Sequence, residues 1–504
     1  MIYLPSRRRI STATLLVGAY ILICALILLW AFHSKQRVQE EPLALFAAAG
    51  ASFALFAALA LRWPTATAAG FVAFTPINRF VIMLVYHFSH SLTLTKGVEL
   101  WKEAVLGAIL IRVAFDFLYT PERKHTVRFM DLLVLLFVLI GLAYLIYPGP
   151  LNTILYTRVQ GLRSDTTFML AYFAGRGLYL SRRRLKWIVM AIVPGSLVVG
   201  AVAVWQFIAP DMANSVFDQL GYADFVRFQG ELGDSVAVRS RDIPGAESLP
   251  RASSLLLGDL ALSFYQMFAV SLAAAMFYLS RRMRDLVSTG AFLALMIATL
   301  IMTLSRSAIA SGVGAVFVMA FYQRAVGRIA VLTAIGVGVV AAVLVSGFVT
   351  LTTVEAMVNF GDSSSIQHQA DLQLSIAAIE AYPFGRGLGT AGNIGQQQVG
   401  SQGITNESWN LQIGTEMGIG AMVLYVVLVV MATLMGAWQA IKVKDYWLRV
   451  VCLTVAGTGA AMLVLSNTLH AWENTPLSMV FWLFAGIAWR ARELDQSDEY
   501  LESA

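Results

Sequence analysis

Residues 129–146 read Phe129-Met130-Asp131-Leu132-Leu133-Val134-Leu135-Leu136-Phe137-Val138-Leu139-Ile140-Gly141-Leu142-Ala143-Tyr144-Leu145-Ile146, with a single charge in the first turn. A helix this apolar has no face for water, and its length matches the hydrocarbon thickness of a bilayer. Runs of the same kind recur along the chain at about 12–32, 43–61, 66–86, 102–118, 129–146, 166–180, 187–209, 254–279, 286–304, 308–322, 329–351, 412–438, 447–468 and 474–489. Continuous apolar runs, without the dyad alternation of a β-barrel, indicate helices. The expected fold is therefore all-α: a polytopic integral membrane protein of about 14 transmembrane helices.

Composition agrees with this reading. Of 504 residues, 58% are hydrophobic and 13% charged, and the mean hydropathy is +0.70; soluble domains carry about 25% charged residues. A soluble globular enzyme is excluded. Cys24 and Cys452 both fall in apolar runs, so neither a disulfide framework nor a cysteine metal site is available. The first run follows Arg7, Arg8 and Arg9 as a signal peptide would, but it is long and lacks a small-residue cleavage pattern, so it reads as a retained helix.

The net charge of +6 has a topological explanation. With the N-terminus inside, Arg7–Arg9, Arg62, Arg123, Lys124, Arg128, Arg182–Arg184, Lys186, Arg281, Arg282, Arg284, Arg324, Arg328, Lys442, Lys444, Arg449, Arg490 and Arg492 all fall on the cytoplasmic side. This excess of basic residues predicts an N-in, C-in protein. The chain then divides into N-terminal helices (1–209), an extracytoplasmic loop (210–253), a second helical group (254–351), a large extracytoplasmic loop carrying short helices (352–411), C-terminal helices (412–490) and a cytoplasmic tail (491–504). The tail reads as a short solvated end. The 352–411 loop is too long for a connector, and such loops usually carry function.

Charges at membrane depth are costly and need a reason. Arg79 lies within the third run, and Arg112 and Asp116 are spaced to pair on one helix face. On the outer side, Arg306 sits in Thr303-Leu304-Ser305-Arg306-Ser307 and Arg251 opens Arg251-Ala252-Ser253-Ser254, preceded by Arg227, Arg239 and Arg241. Guanidinium forks suit bidentate binding of phosphate or carboxylate. Pairing with Asp218, Asp224, Glu231 or Asp234 is the alternative, and the preferred one for the 227–241 group.

The long loop contains Tyr382-Pro383-Phe384-Gly385-Arg386-Gly387-Leu388-Gly389, which lacks the GxxxxGK[ST] pattern of a phosphate loop and reads as a tight turn at the membrane surface. Then come Thr405-Asn406-Glu407-Ser408-Trp409-Asn410-Leu411-Gln412 and Glu416-Met417-Gly418. Glu407, at the start of a helix, is either a proton acceptor or a capping acid. His470, in Leu469-His470-Ala471-Trp472-Glu473-Asn474, suits proton transfer or interfacial anchoring, and His368 is a weaker counterpart. No HExxH, His/Cys cluster or nucleophile elbow occurs.

The Arg251-Ala-Ser-Ser stretch, the Leu304-Ser305-Arg306-Ser-Ala turn, Pro383-Phe-Gly-Arg-Gly-Leu-Gly, and Asn406-Glu407-Ser408 leading to Leu411-Gln412 and Glu416-Met-Gly, in this order, resemble the O-antigen ligase and polysaccharide polymerase family of bacterial envelope membrane enzymes. The resemblance covers about 250–490. It implies a metal-independent, cofactor-free glycosyltransferase of the bacterial cytoplasmic membrane, using an undecaprenyl-diphosphate-linked glycan at the outer face. Family ligases carry a His-Asn pair ahead of the helix; here Glu407-Ser408 stands at that place, which leans toward the polymerase branch. The implied roles are Glu407 as base, with Arg306 and Arg251 on the diphosphate. Arg386, Ser305, Asn406, Ser408, His470 and Arg79 are the expected substrate-binding residues. Implied partners are the lipid-linked oligosaccharide, membrane lipids, and a chain-length regulator and flippase of the same pathway; no nucleic acid is expected. The alternatives are a ligase acting on a lipid or protein acceptor and, in a different class, a lipid-linked glycan transporter or flippase. Against transport, no repeated halves are visible in the sequence.

Overall fold

The computed structural model describes residues 54, 57–119, 127–229, 236–241, 249–323, 363–400, 403–404, 406–497 and 500. The runs expected at 12–32 and 329–351, most of 43–61, and Cys24 lie outside these residues.

The described chain is mostly helical: α1 (Pro64–Phe74), α2 (Asn78–Ser89), α3 (Leu92–Glu99), α4 (Trp101–Tyr119), α5 (Phe129–Ile146), α6 (Leu155–Asp165), α7 (Ala171–Gly177), α8 (Arg182–Met190), α9 (Ile192–Ile208), α10 (Pro210–Gln219) and α11 (Tyr222–Phe228) form the first part. A two-stranded antiparallel hairpin follows, β1 (Arg239–Arg241) and β2 (Leu249–Arg251), with Arg239 opposite Arg251. Then come α12 (Asp259–Leu279), α13 (Met283–Ile301), α14 (Arg306–Tyr322), α15 (Ser363–Ala381), α16 (Gly392–Val399), α17 (Trp409–Lys442), α18 (Tyr446–Leu465), α19 (Thr475–Trp489) and α20 (Ala491–Asp495).

Seven helices among the described residues are long and apolar enough to cross a membrane: Pro64–Ser89, Phe129–Ile146, Arg182–Ile208, Asp259–Leu279, Met283–Ile301, Trp409–Lys442 and Tyr446–Leu465. Arg306–Tyr322 and Thr475–Trp489 are apolar but shorter. The expectation at 166–180 is corrected. There the chain makes a 3-10 turn (Thr167–Leu170) and the seven-residue α7, because Thr166 departs from helical geometry at the start and Leu178, with ψ 129°, ends the helix after Gly177. The 102–118 helix is present as α4, with Arg112 and Asp116 paired at 3.1 Å as their spacing predicts, and Arg112 also donates to the Leu61 carbonyl.

Burial separates the helices into a centre and a rim. α12 and α19 are buried along almost their whole length and α18 along most of it. α5 instead exposes Leu132, Leu135, Leu136, Leu139, Leu142 and Ile146, and α17 exposes Ile419, Val423, Val427, Leu434, Trp438 and Ile441. Stripes of large apolar side chains at helical spacing on the outside of a bundle are what a lipid solvent permits and water penalises.

Without a hydrophobic drive between helices in lipid, close packing depends on small residues. A Cβ on Gly175 of α7 would lie 2.0 Å from the Leu483 carbonyl oxygen of α19, and one on Gly486 would lie 2.1 Å from that of Tyr172. The two glycines thus let α7 and α19 touch backbone to backbone. On the other side, Gly436 of α17 meets the Cys452 carbonyl of α18 and Gly459 of α18 meets Thr433.

One end of the bundle gathers the basic loops. Asp131 accepts from Tyr172 Oη at 2.6 Å and from Arg176 at 3.1 Å, Arg128 pairs with Glu493, and Arg182 pairs with Asp445 at 2.7 Å. The chain's last turns complete this layer, correcting the reading of a solvated tail: Asp495 accepts from the Lys444 and Asp445 amides, and buried Tyr500 donates to Asp445 at 2.8 Å. Tyr500 is held well above its ordinary range by burial and by Asp445.

Gly486→Val is expected to lower the melting temperature of the detergent-purified protein, at an overpacking cost of about 1–3 kcal/mol. Gly420→Ala, where a Cβ meets nothing within 4 Å, should be nearly neutral under the same thermal scan. Equal melting temperatures for the two would show that the α7–α19 contact is not close.

Candidate functional site

The residues expected in the site fall in two neighbourhoods, and the Arg112–Asp116 pair on α4 joins neither. The first is built on Asp259, the first residue of α12 and buried at its end. The chain arrives there through the hairpin and a compact turn with Ser254 and Leu257 at positive φ. The turn is secured from α9, where Gln206 Oε1 accepts from the Ser253 and Ser254 amides at 3.0 and 2.6 Å and the Val199 carbonyl accepts from Ser254 Oγ. Arg251 pairs with Asp259 Oδ2, and Arg239, its neighbour across the hairpin, lies 3.9 Å from Oδ1. The Arg79 guanidinium approaches from α2 and lies 4.0 Å from where a Cβ on Gly258 would stand.

Arg306 joins this group through the chain. Arg251 Nε donates to the Thr303 carbonyl at 3.0 Å and the Ala252 amide to that of Met302 at 3.1 Å. The hairpin is thereby tied to the tight turn at Leu304, which has positive φ, and Ser305 and Arg306 then open α14. Two guanidiniums thus meet one buried carboxylate, with Arg79 beside the preceding residue and Arg306 on the attached turn. Such a group is built to take an oxyanion. Arg227, by contrast, pairs with Asp224 at 3.6 Å on an exposed surface, as the preferred reading of that segment has it.

The second neighbourhood surrounds the start of α17. Ser408 caps the helix by accepting from the Leu411 amide and donates to the Ser466 carbonyl at 3.0 Å, while Asn406 Oδ1 accepts from the Ser408 amide at 2.9 Å. The side chains of Asn406 and Ser408 are therefore engaged by the chain itself. Half-buried Glu407 stands between them, and His470 lies alongside, since the Trp409 amide donates to the Leu469 carbonyl. The side chain of His368 lies outside the described residues.

Below this, α17 is not continuous. Gly418 has φ 83° and ψ 170°, which breaks the helix one residue after Met417. The glycine stretch fills the break. Arg386 N donates to the Thr415 carbonyl at 2.7 Å, Gly387 N to that of Glu416 at 3.0 Å, and Ile419 N to that of Pro383 at 3.0 Å. The glycines make this fit: a Cβ on Gly385 would lie 2.4 Å from the Glu416 carbonyl oxygen, and one on Gly389, also at positive φ, 2.6 Å from that of Thr157. Arg386 stands over the Tyr382 ring at 6.0 Å, and burial lowers its guanidinium from the ordinary value.

Sequence reasoning passed over the acids here. Glu416 is buried, and its two oxygens accept from the Gly389 and Ala391 amides, each at 2.8 Å. Asp165, at the end of α6 and equally buried, hydrogen-bonds with Glu416 and accepts from Gln412 Nε2 at 3.2 Å. Gln412 also donates to Glu473, which takes a second amide from Asn393 at 2.6 Å. The turn Ala471–Glu473 packs against α6, α17 and α12 alike, and so stands between the acids and the helix that carries Asp259. Asp259 and Glu416 fall inside expected spans, and the rule that picks out Arg79 would pick out both. Asp165 lies at the edge of one and carries no such signal. Among the described residues no group of His, Cys, Asp or Glu is arranged to hold a metal ion.

The sequence matches no protein-family model, and no characterised protein matches it.

Removing the shared carboxylate tests the first neighbourhood. Asp259→Ala should destabilise the purified protein by about 2 kcal/mol, since it leaves like charges facing one another in a partly dry place. Added pyrophosphate should restore more melting temperature to this variant than to the parent, by filling the vacated charge. Equal shifts in both would mean that the arginines do not form an anion site.

Proposed function

We propose that this chain is a membrane glycosyltransferase that joins polyprenyl-diphosphate-linked glycan units at the outer face of a bacterial cytoplasmic membrane, as a polysaccharide polymerase. The observation that carries this reading is the meeting of Arg239 and Arg251 on Asp259, with Arg79 beside the preceding Gly258 and Arg306 on the turn that Arg251 holds. A lipid-linked diphosphate is a guest whose charge fits this group and whose tail belongs beside the lipid-facing helices. The order of motifs from 250 to 490, similar to that of the O-antigen ligase and polysaccharide polymerase family, supports the same choice.

In this mechanism the arginines hold the diphosphate and stabilise the negative charge that grows on it as the glycosidic bond breaks; fixed cations in a partly dry site do this without reorganising. A sugar hydroxyl of the acceptor unit attacks the anomeric carbon, and its proton passes to Glu407, half-buried at the same end of the bundle. The new C–O bond forms as the bond to the diphosphate breaks, giving inversion. The glutamate at the place where family ligases carry histidine is the reason for preferring a polymerase over a ligase.

A second reading, transport of the lipid-linked glycan, is favoured by one observation: α17 is broken at Gly418 beside buried carboxyls, the construction that transporters place at their substrate sites.

Purified protein supplied with a lipid-linked oligosaccharide should lengthen the glycan. Arg251→Ala, Arg306→Ala and Glu407→Gln should each slow this by about 10²-fold or more. Undiminished rate in Glu407→Gln removes it as the base, and flipping of the lipid-linked glycan in vesicles without any chain growth favours transport.

A further inference from the structure

Asp165 and Glu416 are the most deeply buried pair of acids among the described residues, and neither site above uses them. They come from α6 and α17, and their carboxyls are in hydrogen-bond contact. All the donors that the protein supplies are accounted for. Glu416 receives one backbone amide on each oxygen, and Asp165 receives Gln412 on Oδ1, but buried Asp165 Oδ2 receives no donor from the protein. Two carboxyl groups in contact with no donor between them require a hydrogen there, since two adjacent buried anions repel strongly.

Among the described residues the cations on the neighbouring elements are directed elsewhere: Arg386, on the loop that binds Glu416, stands over the Tyr382 ring. Arg163, one turn back on α6, is turned to Glu103 and to the Glu99 carbonyl, and Arg158 donates to the carbonyls of Leu145 and Ile146. Tyr144 of α5 donates to the Phe384 carbonyl. The other groups facing the pair are Tyr425 on α17 and Glu473 on the 3-10 turn, and the charge of Glu473 adds to the repulsion.

We infer that Asp165 and Glu416 form a proton-binding site that latches α6 to the broken helix α17 across the glycine loop. The loop is held in the gap by contacts that tolerate no separation. Gly161 of α6 meets the Gly389 amide, with 2.4 Å available to a Cβ, and the same amide is bound to Glu416. When the shared proton leaves, the pair becomes a dianion, α6 is pushed from α17, and the amides of Gly389 and Ala391 lose the fixed acceptor that orders 385–391. The proton goes to solvent by way of the Glu473 side, where the cluster meets the surface. This inference does not rest on the glycosyltransferase reading.

The direction with pH follows from linkage. Burial pushes Asp165 up to about 6, against the hydrogen bonds from Glu416 and Gln412. The folded protein therefore binds more protons than the unfolded chain, whose aspartates titrate near pH 4. Stability that is present at acidic pH is then lost in two steps as pH rises: the first of the pair's protons leaves at about 6, and the shared one, whose loss makes the dianion, leaves above that. The pair titrates as a unit.

Infrared difference spectra of the detergent-purified full chain, titrated from pH 4.5 to 10, test this directly. The C=O stretch of a protonated carboxyl should weaken in two steps across the titration in the parent and in one step in Asp165→Asn, whose amide keeps a hydrogen bond to Glu416. Across the same range the melting temperature of the parent should fall by about 3 °C more than that of Asp165→Asn. Hydrogen exchange at Gly389 and Ala391, corrected for its intrinsic pH dependence, should accelerate in the parent alone. If Asp165→Asn does not fold, the infrared and exchange measurements on the parent decide by themselves. An unchanged carboxyl band with flat exchange overturns the proposal. So does a response that follows sodium when it replaces choline at fixed pH, because the occupant would then be a metal cation.

Discussion

The break in α17 at Gly418 is the constraint on which the outer half of the bundle depends. In a medium without water, a helix cannot stop and restart unless every freed carbonyl and amide finds a protein partner. Here the partners are the amides of Arg386 and Gly387 and the carbonyl of Pro383, all from a segment that must lie against the helix backbone. Only a chain with Gly385, Gly387 and Gly389 at positive φ reaches so close. The break thus dictates the glycine run. The run in turn dictates the small residues facing it, since a Cβ on Gly149 or Gly161 would strike Arg386 or Gly389 backbone atoms. The buried Glu416 carboxylate is part of the same arrangement, because it satisfies the next two loop amides.

A second, independent constraint organises the arginines. Asp259 is placed at the head of α12 by the hairpin and the Ser253–Leu257 turn, and Gln206 of α9 holds that turn in position. Without the acid, Arg239 and Arg251 would face each other across the hairpin; with it, they converge on one carboxylate. The acid therefore acts as a positioning group for the cations. The two constraints meet at the turn Ala471–Glu473, which touches α6, α17 and α12 and sets the spacing between the acid pair and the cation cluster.

What was legible in the sequence was whatever has a local signature. Apolar runs marked helices such as 129–146 and 447–468 to within a few residues, and the i, i+4 spacing marked Arg112 with Asp116. The run at 166–180 misled because hydropathy does not register the non-helical backbone of Thr166 before it and of Leu178, which ends the helix after Gly177. The tail misled because acids look solvated unless their partners are known, and those of Asp495 and Tyr500 lie at 444–445. The same limit hid the acid pair: Gln412 and Asp165 meet across 247 residues, and no periodicity encodes a contact of that range.

The glycine run shows how a correct local reading understates its purpose. Read alone, it is a turn at the membrane surface, and its lack of a phosphate-loop pattern is real. In the fold it is a plug for a broken helix, and Arg386 is carried on it with its main-chain amide bonded to the Thr415 carbonyl. Arg386 is thus carried by the broken helix α17, whereas Arg251 and Arg306 are tied to each other through the Thr303 carbonyl and are anchored elsewhere, on α12 and α14. The cations at this end of the bundle are thus held by two separate mechanical supports. One is fixed by a carboxylate and a hairpin, and the other by main-chain hydrogen bonds on both sides of the break in α17.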